Sequence, residues 1–261
     1  MPSSDKSLAV RIGGKAGVDK PWLVWLHGLF GSGDDWREVL PAFTDFPCLT
    51  VDLPGHGDSQ AIDAGSLADV DGLFAATLAR HGIRRYWLIG YSLGGRIAGH
   101  FATRGDTPPG LCGLIVEAAH PGLPPDERPA REEHDRAWAG RLRCEPLAQV
   151  LDDWYRQPPF ADLDAAQRVA MAARRASNDP VRVAMLLEAC TLARQPDMAA
   201  GLAALTLPFA FLCGERDAKF QALARRCGFP LHSIADAGHN AHAAQPAAFA
   251  ATILDVLHRR N

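Results

Sequence analysis

The sequence predicts an α/β fold: a mostly parallel sheet flanked by helices, with a helical insertion late in the chain. Three observations carry this expectation. Short apolar runs recur, each closing on a Gly, Asp or His cluster: WLVWLHG (22–28), LTVDLPGHG (49–57), YWLIGYS (86–92), LIVEAAHPG (114–122) and FAFLCGERD (209–217). Amphipathic patterns such as DVDGLFAATLARHG (69–82) lie between several of them, and continuous apolar strands alternating with helices mark a parallel sheet buried on both faces. From about Pro121 to Pro196 the texture changes to charged or amphipathic helical patterns with no buried strand.

Taken in chain order, the run 22–28 is an early strand that ends in the loop His27-Gly28-Leu29. The run 49–57 is the next strand and closes on the scaffold turn LPGHG. A helix over 69–82 leads to the strand 86–92, and IAGHFATRG continues from it as a helix. After the strand 114–122, the stretches DERPAREEHDRAWAGRLR, DDWYRQPPF, AAQRVAMAARRA and VRVAMLLEACTLARQ form a helical lid. FAFLC and LHSI are the last strands, followed by GERD and AGHN. In open parallel sheets the chemistry gathers at the carboxyl ends of the strands, and the polar clusters fall there.

The chain of 261 residues suits one domain: core 1–120 and 197–261, with the lid at about 121–196. At 48% hydrophobic and 22% charged residues, it has globular rather than disordered composition. A net charge of −3 gives no reason to expect nucleic acid or an anionic membrane as partner. The six cysteines are scattered without a C-x-x-C pair, as expected of reduced thiols in a cytoplasmic protein. The start MPSSDKSLAVRIGG has no apolar signal core, and no stretch approaches the roughly 20 apolar residues of a membrane span. A soluble monomer that takes a small-molecule substrate is the expectation.

Gly90-Tyr91-Ser92-Leu93-Gly94 fits G-x-S-x-G between a strand and a helix, the context in which glycines permit a sharp turn that lifts a serine hydroxyl above the sheet. Such a serine needs a base, and the base an orienting carboxylate. Chain order selects Asp217 after FAFLC and His239 in AGHN. Asp236 and His242 read as loop and cap residues, and His232 as structural. Two backbone N–H groups must face developing negative charge; Leu93 follows the nucleophile, and Gly28 lets the early loop present the amide of Leu29. His27 reads as a hydrogen-bonding residue that shapes this loop. No H-E-x-x-H, zinc-spaced Cys/His set or G-x-G-x-x-G after the first strand is present, so neither a metal nor a cofactor is expected. Arg96, one helical turn beyond Ser92, either escapes to solvent or a local carboxylate, or points into the cleft to receive an anionic substrate.

LHGLFGSGDDW, VDLPGHGDS, GYSLGGR, VEAAHPGL, DRAWAGR, DDWYRQPPF, LCGERDAKF and AGHNAH together resemble the family of synthases that make 2-succinyl-6-hydroxy-2,4-cyclohexadiene-1-carboxylate in menaquinone biosynthesis. The similarity runs from about residue 21 to 250. It implies an α/β-hydrolase fold and a lyase that eliminates pyruvate from an enolpyruvyl cyclohexene carrying three carboxylates. It also implies the triad Ser92, His239 and Asp217, and three arginines that grip the substrate: Arg96, Arg131 and Arg175, with Arg128 and Arg174 as neighbouring alternatives. Tyr91 and Trp154 match positions that line the family's cleft, though core packing is the ordinary expectation for both. His120 reads as a loop hydrogen-bonder. The competing expectations are a serine hydrolase of small carboxylated compounds and an idle small-molecule receptor.

Overall fold

The computed structural model describes residues 7–15 and 20–258. The ends of the expected domain, MPSSDK at the start and residues 259–261, lie outside the described residues. Seven strands form one sheet: β1 (Val10–Gly13), β2 (Trp22–Leu26), β3 (Cys48–Val51), β4 (Tyr86–Tyr91), β5 (Leu111–Glu117), β6 (Phe209–Gly214) and β7 (Leu231–Ile234), in the order β1-β3-β2-β4-β5-β6-β7. Only the β1–β3 pair is antiparallel. The apolar runs of the sequence are β2 to β6, and their burial explains their texture: every residue of β3 and β4 is buried, so neither face can carry an alternating polar pattern. β1 is legible only in the structure. It is a four-residue edge strand with three exposed residues, too short and too wet to show a period.

The chain passes from β2 outward to β3 and then crosses to β4 on the other side of β2. At such a reversal, sheets of this kind bind ligands beyond the carboxyl ends of the strands, here those of β2 and β4. The loop His27–Leu29 leaves β2 there, and Ser92 leaves β4. Helices α1 (Leu67–Arg80) and α2 (Leu93–Thr103) form where helices are expected, α1 with one buried face and α2 buried along nearly its whole length, and Trp25 packs against Trp36 and Phe43 at 5.0 and 5.3 Å between ring centres.

Between β5 and β6 run α3 (Arg128–Cys144), α4 (Leu147–Trp154), α5 (Ala165–Arg175), α6 (Pro180–Ala189) and the short α7 (Ala199–Ala203). Prolines and caps divide them: Pro158–Phe160 is a single 3-10 turn, Asp164 and Gln167 form a reciprocal capping box at the start of α5, and Asp179 caps α6 with Pro180 at its first position. This segment has its own apolar cluster, including Leu142, Val150, Leu151, Phe160 and Val183, into which the core contributes Phe30. After β6 come α8 (Ala218–Arg226), then β7, α9 (Ala241–Ala244) and α10 (Pro246–His258). Among the described residues no helix is long and apolar enough to cross a membrane.

Candidate active site

Ser92 sits at φ 49°, ψ −111°, a conformation that ordinary side chains avoid and that persists only where the surroundings enforce it. Two hydrogen bonds hold it: its N–H donates to Glu117 O at 2.9 Å, and its carbonyl accepts from Arg96 N at 2.9 Å. A Cβ at Gly90 would meet Gly94 O at 2.5 Å, and one at Gly94 would run into the carbonyls of Leu26 and His27. Both glycines of the pentapeptide are therefore required by the close approach of backbone.

Asp217 ends the turn after β6 and divides its carboxylate between two tasks. Oδ1 accepts the Phe220 N–H at 3.2 Å and caps α8, while Oδ2 lies 2.8 Å from His239 Nδ1. Both side chains are buried, and the rings of Tyr91, Phe160 and Phe220 stand 5.6, 5.7 and 5.0 Å from the His239 ring. The Asp217 contact orients the imidazole and leaves Nε2 without a hydrogen-bond partner among the described residues. The Asp217–His239 hydrogen bond is formed, whereas among the described residues none joins the Ser92 hydroxyl to His239. Unliganded sites commonly have long or misaligned catalytic hydrogen bonds.

Against the elbow lies the loop after β2. A Cβ on Gly28 would stand 2.7 Å from the Tyr91 ring and 3.5 Å from Ser92 Cβ, so only glycine lets this backbone come so near. The amides of Leu29 and Leu93 have no acceptor among the described residues. Next in the chain, Phe30 has φ 64° and donates its N–H to His56 Nε2 at 3.0 Å. His27 accepts from Leu53 N through Nε2 at 2.9 Å and donates from Nδ1 to Gly28 O at 2.7 Å. Burial lowers the pKa of His27 and, together with the nearby His27, lowers that of His56 to about 3. Both are neutral scaffold residues that shape the loop, as LPGHG and His27 read in the sequence.

The three arginines are held in three ways. Arg96, 7% exposed, donates from Nε to Gln195 Oε1 at 2.6 Å and from Nη2 to Cys190 O at 2.5 Å; burial, then Arg131, brings its pKa down to about 10. Arg131 is partly exposed and bonds Asp135 Oδ1 at 2.8 Å. Arg128 instead bonds Leu123 O at 3.1 Å. Arg175 is buried whereas Arg174 is exposed; Arg175 pairs with Asp35 and donates from Nε to Tyr155 OH at 3.3 Å. Burial works to lower its pKa, but Asp35 and Tyr155 outweigh it and hold the guanidinium charged. Burial, with Lys219, Arg96 and Arg131 adding to it, drives the pKa of His120 down to about 4, and its Nδ1 accepts the Gly122 N–H at 3.2 Å. Trp154 is half-buried and packs edge-on to Phe30 and Trp138 at 5.1 and 5.0 Å, and Tyr91 is buried beside His239.

Three supporting residues escaped the sequence reading. Gln195 is fully buried and joins Arg96 to His120 O, to which it donates at 2.9 Å. Asp35 is the counterion of Arg175. Glu117 is a carboxylate inside an apolar strand, which was the one visible signal among the three; His242, read as a cap residue, pairs with it. Asp236 stays in an exposed pair with Arg216 at 2.6 Å, the loop role expected of it. His239 and His242 serve different carboxylates, and among the described residues no group of three or more His, Cys, Asp or Glu side chains is placed to hold a metal ion.

Residues 23–252 match the alpha/beta hydrolase family. Over 232 residues the chain is 55% identical to the 2-succinyl-6-hydroxy-2,4-cyclohexadiene-1-carboxylate synthase of Pectobacterium atrosepticum, covering 88% of this chain and 91% of that protein. It is 49% identical over 251 residues to the synthase of the same name from Serratia proteamaculans, covering 96% and 98%. Among solved structures, MenH from S. aureus superposes with a TM-score of 0.88 at 26% identity, covering 97% of this chain and 99% of that one.

Proposed function

The chain belongs to the 2-succinyl-6-hydroxy-2,4-cyclohexadiene-1-carboxylate synthases of menaquinone biosynthesis, within the alpha/beta hydrolase family, and from this we propose how its residues carry out the lyase reaction. The substrate is 2-succinyl-5-enolpyruvyl-6-hydroxy-3-cyclohexene-1-carboxylate. His239, oriented by Asp217, draws the proton from Ser92 Oγ so that the serine oxygen can remove the ring proton next to the succinyl ketone. The amides of Leu29 and Leu93 receive the enolate oxygen that forms. Electrons then return through the ring, the bond from ring carbon to enolpyruvyl oxygen breaks, and the departing group takes up a proton to become pyruvate. No acyl-enzyme is required. A serine hydroxyl is a poor base in water, so stabilisation of the enolate carries most of the barrier reduction.

Arg96, Arg131 and Arg175 receive the substrate carboxylates, Tyr91 and Trp154 line the cleft, and residues 121–196 act as its lid. The reading has a single domain working as a cytoplasmic monomer without metal or cofactor. The observation that carries it is the buried Asp217–His239 hydrogen bond of 2.8 Å, with the ring of Tyr91, the residue before Ser92, 5.6 Å from the His239 ring. The test adds the cyclohexene substrate and follows pyruvate: release that disappears in Ser92→Ala is expected. Brisk ester turnover with no pyruvate would assign the same triad to a hydrolase instead, and failure of a fluorophosphonate to label Ser92 would count against an activated serine.

A further inference from the structure

Beside the Asp217–His239 pair stands a second carboxylate–imidazole pair that the reaction above does not use. Glu117 and His242 are 0% and 1% exposed. Glu117 Oε1 accepts the His242 backbone N–H at 3.0 Å, and Oε2 lies 2.7 Å from His242 Nδ1. The same residue's backbone carbonyl accepts the Ser92 N–H at 2.9 Å. One residue at the end of β5 is thus tied by its main chain to the nucleophile elbow and by its side chain to the segment that carries His239, three residues before His242.

The setting makes this a stiff connection. The ring of Tyr91 packs against both imidazoles, 5.6 Å from His239 and 4.7 Å from His242. Trp36 and Phe249 also pack against His242, at 4.5 and 5.9 Å, and the Glu117 carboxylate is shielded from solvent. On the opposite flank the His239 loop is fixed to the turn that carries Asp217, through the Arg216 N–H donating to Ala237 O at 2.9 Å. The loop is therefore held on both flanks. The Arg216 bond sets His239 against the acid, and Glu117 sets it against the serine. The Glu117 tie bears on the spacing between Ser92 and His239, because that spacing depends on how the loop sits relative to the elbow.

We infer that Glu117 and His242 are positioning residues which fix the spacing between Ser92 and His239. This rests on the triad reading above. Neither residue reaches substrate; each acts through the backbone it holds. Losing the tie should lower kcat and leave substrate binding, which depends on the arginines, nearly unchanged. A loss of about tenfold or more is the expected scale, since misplacement by an ångström can cost a hundredfold.

The experiment measures pyruvate release and melting temperature for Glu117→Gln, His242→Phe and His242→Asn, with Ser92→Ala as the reference. Phenylalanine fills the aromatic niche but donates nothing, whereas the asparagine amide can replace the Nδ1 donor. Expected are a fall in kcat of about tenfold or more with KM within about threefold for Glu117→Gln and His242→Phe, slower fluorophosphonate labelling of Ser92, and recovery of most of kcat in His242→Asn. A folded His242→Phe enzyme with wild-type kcat overturns the inference, even if its melting temperature falls; so does equal impairment of the Asn and Phe variants. If Glu117→Gln does not fold, the comparison of the two His242 variants decides alone. Persistence of pyruvate release in Ser92→Ala would instead overturn the triad reading itself, which separates the two failures.

Discussion

Arg96, proposed to receive a substrate carboxylate, shows how much support a buried guanidinium needs. Near the start of α2 its charge opposes the helix dipole, at a cost of about 0.3–1 kcal/mol, and burial adds a desolvation penalty. Gln195 and the Cys190 carbonyl offset both by taking Nε and Nη2, leaving Nη1 without an acceptor among the described residues. Arg96→Ala is expected to lose about 1.5–3 kcal/mol of interaction with the substrate, roughly a 10- to 150-fold fall in kcat/KM, with an unchanged far-UV circular dichroism spectrum. Unaltered kinetics would return this arginine to a structural role. Gln195→Leu should raise KM and lower stability by about 1–3 kcal/mol, because it strands a buried charged donor; steady-state kinetics with thermal melts of the same sample read both.

Between elements, the proposed lid is tied to the core by a buried ion pair rather than by apolar contact alone. Asp35 lies in the 3-10 turn Gly33–Trp36 and Arg175 at the end of α5. Beside them, Asn178 donates from Nδ2 to Phe30 O at 2.9 Å and to Arg175 O at 3.0 Å. Burial alone would raise the Asp35 pKa, yet Arg175 outweighs it and the net direction is downward. Removing one partner of such a pair leaves an uncompensated buried charge, so Asp35→Ala is expected to cost about 3–5 kcal/mol. Limited proteolysis should then cut first within residues 121–196. Wild-type melting temperature and cleavage pattern in this variant would show that the pair does not fasten the segment.

At the scale of the molecule, buried neutral imidazoles add to the loss of stability in acid. His120 and His56 have pKa values lowered from 6.5 to about 4 and about 3, chiefly by burial. A depressed pKa means that the folded state binds fewer protons than the unfolded chain. The stability this gives is complete above pH 6.5 and is lost as pH falls from there through about 4 for His120. His120→Asn keeps an acceptor for the Gly122 N–H and removes the titration. Between pH 6.5 and 4, the slope of its unfolding free energy against pH should therefore be shallower by up to about 1.4 kcal/mol per unit. Denaturant melts across that range provide the check, and parallel slopes for variant and wild type would refute it.

The sequence by itself determined the strands β2 to β7, the Ser92 elbow, and the places of Asp217 and His239 in chain order. Each of these is written locally, in a short run along the chain or in glycines whose absent Cβ permits a turn. It also marked Arg96, although its two readings, solvent or cleft, could not be separated by position along a helix. The tertiary structure decided what depends on partners distant in the chain. It brought Gln195 to Arg96 across 99 residues and Asp35 to Arg175 across 140, turned Arg175 inward and Arg174 outward, and added the edge strand β1, whose exposed residues carry no pattern. Glu117 stands between the two cases. A carboxylate closing an apolar strand is visible as an oddity in sequence, but only folding, by carrying His242 back over 125 residues, supplies the donors that let it stay buried.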